Sequence, residues 1–249
     1  MNCRLKRLSA IVLTGGILMT GCSGTAESES VRSVRQPEEY GKVIALTFDD
    51  GPNTTTTVQI LDQLEKYNVT ASFFVVGNNV NESTEPVVRR AYEMGCEINN
   101  HSKTHSYMNK MTAEEIRKEV QTTSDKVEAI TGEPTKFFRP PYIAVNQTMY
   151  DSIDLPFICG YGSNDWDAKV SVEDRAGKVL EQITDGSIIL LHDSQGNDKT
   201  VEALDILIPT LLEQGYEFVT VSELFYCKGV EVRSDTDVIY NEPKQIESN

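Results

Sequence analysis

Between about residues 43 and 226, short apolar runs alternate seven times with segments of helical spacing. That alternation narrows the fold more than any other property of this 249-residue chain. The strand-like runs are 43–48, 71–76, 96–99, 136–138, 157–161, 187–191 and 217–221. The first is apolar almost without interruption, as in a parallel strand covered on both faces. Among the helical segments, Val58, Leu61 and Leu64 share one face, Pro86 opens a helix that Gly95 ends, Thr112 and Glu115 form a capping box, and Asn146 and Ser171 precede two more helices. Repeated βα units imply a parallel α/β sheet, open or closed. The candidate site residues come from the ends of many strands, which suits the C-terminal face of a barrel better than one crevice, so a barrel is the expected architecture.

The chain outside this region has other signatures. Arg4, Lys6 and Arg7 precede an apolar run from Leu8 to Met19, too short to span a bilayer and suited to a signal-peptide core. It ends in Leu-Met-Thr-Gly-Cys, which resembles a bacterial lipoprotein signal with Cys22 as the lipidated residue; plain secretion is the alternative. The expected organisation is a signal over 1–21, a flexible tether over 22–40, one domain over 41–228 and a polar tail over 229–249.

The formal net charge is -15, and it becomes -18 once Arg4, Lys6 and Arg7 leave with the signal. Such a surface repels phosphate backbones, so nucleic acid is excluded as a partner, and membrane contact rests on a lipid at Cys22 alone. With Cys3 and Cys22 set aside, Cys96, Cys159 and Cys227 form no even set for a disulfide framework and no Cys-x-x-Cys pair. A monomer is expected.

All three histidines fall in two short segments. His101 and His105 lie in Asn-His-Ser-Lys-Thr-His, and His192 closes Ser-Ile-Ile-Leu-Leu-His-Asp. On a helix or helical turn, spacing i, i+4 would put two imidazoles on one face, close enough to share an ion; two solvated loop histidines are the plain alternative. Asp49 and Asp50, in Thr-Phe-Asp-Asp-Gly-Pro, would point to opposite faces of a regular strand, but Gly51-Pro52 breaks the strand and lets a turn aim both inward. Asp-Gly and Gly-Pro are also ordinary turn chemistry. Two imidazoles and a carboxylate match a catalytic zinc site with a fourth position open for water, although cobalt, nickel or iron suit the same donors. Trp166, beside Ser163-Asn164-Asp165, reads as a platform for a sugar ring or as a core residue.

Taken in order, Thr-Phe-Asp-Asp-Gly-Pro, His-Ser-x-x-His, Arg-Pro-Pro-Tyr, Asp-Trp and Leu-Leu-His resemble the motifs of the polysaccharide deacetylases that carry the NodB homology domain, carbohydrate esterase family 4. The resemblance spans about residues 41–226 and implies a distorted (β/α)7 barrel. It also implies Asp49 as catalytic base, Asp50, His101 and His105 as metal ligands, and Arg139 as the residue that orients Asp49. By the same resemblance His192 is the general acid tuned by Asp165, the Tyr142 N–H holds the oxyanion, and Tyr142, Trp166 and Leu190 contact substrate. Gly162 and Ile143 depart from the family pattern, which often has Asp and Gly there, and these departures bear on substrate shape. The implied activity is hydrolysis of acetyl groups on an extracellular polysaccharide, with N-acetylglucosamine in peptidoglycan or chitin-like oligomers first, and acetylated xylan as the alternative. A carbohydrate-binding lipoprotein on an inactive deacetylase scaffold is the reading of another class.

Overall fold

The computed structural model describes residues 35–244; residues 1–21, expected as a signal, and Cys22 lie outside the described residues. Strand β1 (Lys42–Asp49) is central and buried from its second residue to its last. It pairs in parallel with β2 (Ser72–Val75), β6 (Ile188–His192) and β7 (Tyr216–Phe218). Beyond β2 lies β3 (Glu97–Asn100), and beyond β6 lies β5 (Tyr161–Gly162). Single bridges at Phe138 link β3 to β4 (Phe157–Ile158), and β4 pairs with β8 (Ile239–Tyr240). Asn241, directly after β8, returns the path to β6, because its carbonyl accepts from the Ile188 N–H. The hydrogen-bonded path therefore runs around a distorted barrel of parallel strands with helices outside.

Helix positions follow from local chemistry. Helix α1 (Thr56–Tyr67) stops at Asn68, whose φ of 52° suits its short polar side chain. Helix α2 (Glu85–Glu93) starts with proline in its first turn, and α3 (Ala113–Thr131) has the Thr112–Glu115 capping box and ends at Gly132, φ 78°. Asn146 caps α4 (Gln147–Tyr150) and Ser171 caps α5 (Val172–Gln182). Helix α6 (Asp198–Glu213) and α7 (Val221–Cys227), the latter with a Thr220–Glu223 capping box, complete the set. No helix among the described residues is long and apolar enough to cross a membrane.

The alternation of β1 decides where the chemistry sits. Ile44, Leu46 and Phe48 pack in the cluster that includes α1 and α6, whereas Val43 and Ala45 belong to the inner cluster with Phe74 and Ile188. Thr47 and Asp49 continue the inner row by period two. The row thus passes from apolar at one end to a carboxylate at the C-terminal end of the strand. Cys96 and Cys227 are buried and Cys159 is half-buried, all three as free thiols.

Both ends of the domain extend past the boundaries read from sequence. Arg35 and Gly41 bond to Glu217, so the last residues of the expected tether lie against the domain. At the other end, the segment expected as a polar tail carries β8, whose Tyr240 is fully buried and meets Phe225 edge-on at 5.3 Å. Two residues of strand are too short to give a sequence signal. Replacing Tyr240 with alanine should destabilise the domain by about 3–5 kcal/mol, as for other large buried aromatics, measured by urea unfolding. A loss below about 1 kcal/mol would mean that β8 is peripheral.

Candidate active site

Five strand ends deliver the site. Asp49 ends β1 and is the Cα partner of His192 at the end of β6, so their side chains start as neighbours. His101 follows β3, Arg139 follows the Phe138 bridge, and Asp165 follows β5. Asp50 leaves the strand with φ 80°, and this turn separates the two adjacent carboxylates.

Asp49 is buried and receives a hydrogen bond from Arg139 Nη1 at 2.6 Å. Burial alone would raise its pKa. The Arg139 guanidinium, with His101 and His192, outweighs that and holds the carboxyl below the ordinary range, so it is ionised at neutral pH. Arg139 is itself fully buried, donates from Nη2 to the Cys159 carbonyl at 2.6 Å and lies 4.0 Å over the Phe74 ring.

One carboxylate oxygen and two imidazole nitrogens, from Asp50, His101 and His105, lie within 4.8 Å of one another. His101 Nδ1 is 2.7 Å from the Arg139 carbonyl, so it carries the proton and leaves Nε2, 3.7 Å from both Asp50 Oδ1 and Asp49 Oδ2, free to ligate. Burial pushes the His101 pKa down, against the opposing pull of Asp49 and Asp50. This ligand set fits a divalent ion with an open position. The two histidines converge through a loop and not through the helical turn their spacing suggests: Ser102 and His105 have φ of 64° and 56°, and Ser102 Oγ accepts from the His105 N–H at 3.0 Å. The irregular backbone brings the ring centroids to 4.9 Å.

His192 Nδ1 pairs with Asp165 Oδ1 at 2.8 Å, and its backbone N–H donates to Asp165 Oδ2 at 2.8 Å. Burial favours the neutral ring, but the Asp165 hydrogen bond and charge prevail and lift the His192 pKa to about 9. Asp165 is fixed in turn by Thr200 Oγ1 at 2.8 Å, and buried Arg175 donates to both Thr200 and Asn197. Nε2 of His192 is left for the cleft.

A cavity of about 490 Å³ joins these groups and is walled by Tyr142, Ile143, Trp166 and Leu190. Trp166 is 64% exposed, which removes it from the core. The Tyr142 ring stacks on Tyr107 at 4.1 Å and meets His105 edge-on at 4.6 Å, and its N–H has no backbone acceptor among the described residues. Tyr142 and Ile143 both have positive φ, 59° and 52°, so the glycine that the family pattern has at 143 would be unstrained where this isoleucine is strained. At Gly162 a Cβ would lie 3.0 Å from the Leu190 carbonyl oxygen, so β5 approaches β6 too closely to accept an aspartate without displacement.

Every site residue expected from the sequence within 35–244 reaches this one region. Asp193 is an addition that the sequence reading missed. Its buried carboxylate accepts from the Gly51 N–H at 2.8 Å and the Thr57 hydroxyl at 2.6 Å, which fixes the turn after Asp50. A Cβ on Gly51 would meet Asp193 Oδ2 at 2.1 Å, so glycine is required there by close approach. Burial, with Asp50 and Asp49 nearby, pushes the Asp193 carboxyl up to about 7. Its one signal in the sequence is its place beside His192 at a strand end.

Residues 36–155 match the family model described as polysaccharide deacetylase. A bifunctional xylanase/deacetylase of Pseudobutyrivibrio xylanivorans is 49% identical over 229 residues, covering 92% of this chain and 36% of that protein. The peptidoglycan-N-acetylglucosamine deacetylase PgdA of Listeria monocytogenes is 38% identical over 202 residues, covering 78% of this chain and 42% of that protein. This chain thus spans about two fifths of the length of these relatives. A family 4 acetyl xylan esterase from Clostridium thermocellum, solved with a cobalt ion, superposes with a TM-score of 0.79 at 46% identity, covering 81% of this chain and 98% of that one.

The His192–Asp165 pair gives a direct test. A raised histidine pKa contributes stability that is complete below about 6.5 and is lost as pH rises through about 9. With only three histidines to assign, NMR titration should show one imidazole that holds its proton to about pH 9, and Asp165→Asn should move that titration to lower pH. An unchanged titration would separate Asp165 from the ring's charge.

Proposed function

The chain belongs to the polysaccharide deacetylase family, and on that premise we propose that it hydrolyses acetyl groups from an extracellular polysaccharide, with N-acetylglucosamine units as its first substrate class. The observation that carries this reading is the division of adjacent carboxylates: Asp50 lies near both His101 and His105, whereas Asp49, 3.7 Å from His101 Nε2 alone, is hydrogen-bonded by Arg139. A divalent ion at Asp50, His101 and His105, zinc or else cobalt, nickel or iron, would supply Lewis acidity for attack on an acetyl carbonyl.

The remaining roles belong to the chain. Asp49, ionised and outside the ion-binding three, takes the proton of the attacking water. Arg139 holds its carboxylate in position. The Tyr142 N–H donates to the oxygen on which negative charge develops. An amine leaves poorly until protonated, so His192, oriented by Asp165, gives its Nε2 proton to the leaving nitrogen and releases acetate. Tyr142, Trp166 and Leu190 hold the sugar. The complete set of acid, base and ion-binding groups supports an enzyme over a binding-only lipoprotein.

A second reading, O-deacetylation of acetylated xylan, is favoured by the xylanase/deacetylase and acetyl xylan esterase relatives. An ester leaving group has less need of His192. The domain of 41–228 would act as a monomer outside the cytoplasm, tethered through a lipid on Cys22, with the segment to 244 belonging to its fold.

Acetate release from N-acetylglucosamine oligomers and acetylated xylan, with the protein metal-stripped and then restored with zinc, tests this. Zinc-dependent release from the oligomers is the expected result. Release from xylan alone would make it an esterase, and no release from either would overturn the reading.

A further inference from the structure

Helix α5 turns Arg175, Ala176 and Val179 inward, so a guanidinium shares the helix's apolar face and is only 2% exposed. Its hydrogen bonds go to neutral acceptors, while Asp165 and Asp167 are the carboxylates that face it. A buried cation without a directly bonded carboxylate is costly to keep. Its contacts point in two directions.

Toward α6, Nη1 donates to Thr200 Oγ1 at 2.8 Å and to Asn197 Oδ1 at 2.6 Å. The Thr200 oxygen accepts from Arg175, so its single proton is directed to Asp165 Oδ2, 2.8 Å away. The Asn197 oxygen accepts from Arg175 too, so its amide nitrogen faces the other way and donates to the His192 carbonyl at 2.9 Å. Asp165 Oδ2 also receives the His192 N–H, and Oδ1 meets the ring Nδ1. Arg175 thus sets the sense of the hydrogen bonds that surround the His192–Asp165 pair.

Toward the segment 163–170, Nη2 donates to the Asp167 carbonyl at 3.1 Å and Nε to the Val170 carbonyl at 3.3 Å. This segment joins β5 to α5, contains neither strand nor helix, and carries both Asp165 and Trp166. Asn164 within it has φ 59°. Without a ladder of its own, the segment depends on such side-chain donors for its shape.

We propose that Arg175 is the positioning residue of the acid half of the site: it joins Asp165, and through it His192, to the loop that carries Trp166. The proton donor and the sugar platform are then set as one unit. This role rests on the reading of His192 as general acid and Trp166 as a sugar platform.

The test uses the full chain with zinc, N-acetylglucosamine oligomers, and 4-methylumbelliferyl acetate, whose phenolate leaves without a proton. Trp166 is the only tryptophan, so time-resolved fluorescence anisotropy reads its loop directly. Arg175→Lys keeps a cation but loses the fork that reaches both sides. It should lower kcat/KM on the oligomers by about 10–100-fold, as loss of one or two buried hydrogen bonds implies. The loss on the small ester should be smaller, the Trp166 anisotropy should decay faster, and bound zinc should be unchanged. Thr200→Val cuts only the branch to Asp165, so kcat on the oligomers should fall while KM and the anisotropy hold.

Undiminished oligomer turnover in Arg175→Lys, an equal loss on the small ester, or an unchanged anisotropy would each overturn the role. If Arg175→Lys does not fold, Thr200→Val decides: a fall in kcat supports the relay, and an unaltered kcat overturns it. If the wild type releases no acetate from any oligomer, the deacetylase reading falls and the anisotropy still decides. Faster decay in Arg175→Lys then supports Arg175 as the anchor of the loop, and unchanged decay overturns it.

Discussion

A guanidinium and a carboxylate buried together, Arg139 and Asp49, hold the site in one piece. Neither group can be left alone in such surroundings, because an unpaired buried charge costs several kcal/mol. Arg139 reaches further than its partner. Its second amino group donates to the Cys159 carbonyl, its plane covers Phe74, its own carbonyl accepts from His101, and its N–H donates to the Asn100 carbonyl. One residue thereby couples Asp49 to His101, to strands β2 and β3, and to the residue directly after β4.

The loops around that residue are held away from relaxed backbone. Among the described residues, the non-glycine positions of positive φ are Asp50, Asn68, Ser102, His105, Tyr142, Ile143 and Asn164. Only Asn68, a helix cap, lies away from the site. Such conformations persist where the surroundings over-determine them. Here the fixing contacts are visible: Asp193 on Gly51, Ser102 on His105, and Asn79 on Asp50. The barrel supplies strand ends, and these bonds aim the side chains.

The barrel is legible in the sequence because buried apolar runs and helix caps are local. Val43 to Phe48 reads as a buried strand whatever lies far from it, and Thr112 with Glu115 marks a helix start without tertiary help. Motif order carries the site residues. What is not legible depends on distant partners. The spacing of His101 and His105 suggests a helical turn, yet left-handed backbone at Ser102 and His105 brings the rings together. Asp193 looks like a turn residue until its contacts to Gly51 and Thr57 are seen. Strand β8 has no periodicity in two residues and exists through its pairing with β4.

Two adjacent carboxylates with separate fates are the core of the proposed chemistry, and measuring bound zinc and acetate release together in Asp49→Asn and Asp50→Asn tests it most directly. Asp49→Asn should keep about one zinc per chain while turnover falls about 10²–10⁴-fold, the range for loss of a general base. Asp50→Asn should lose the zinc and the activity together. Loss of zinc in Asp49→Asn, or undiminished acetate release by it, would contradict the division of roles.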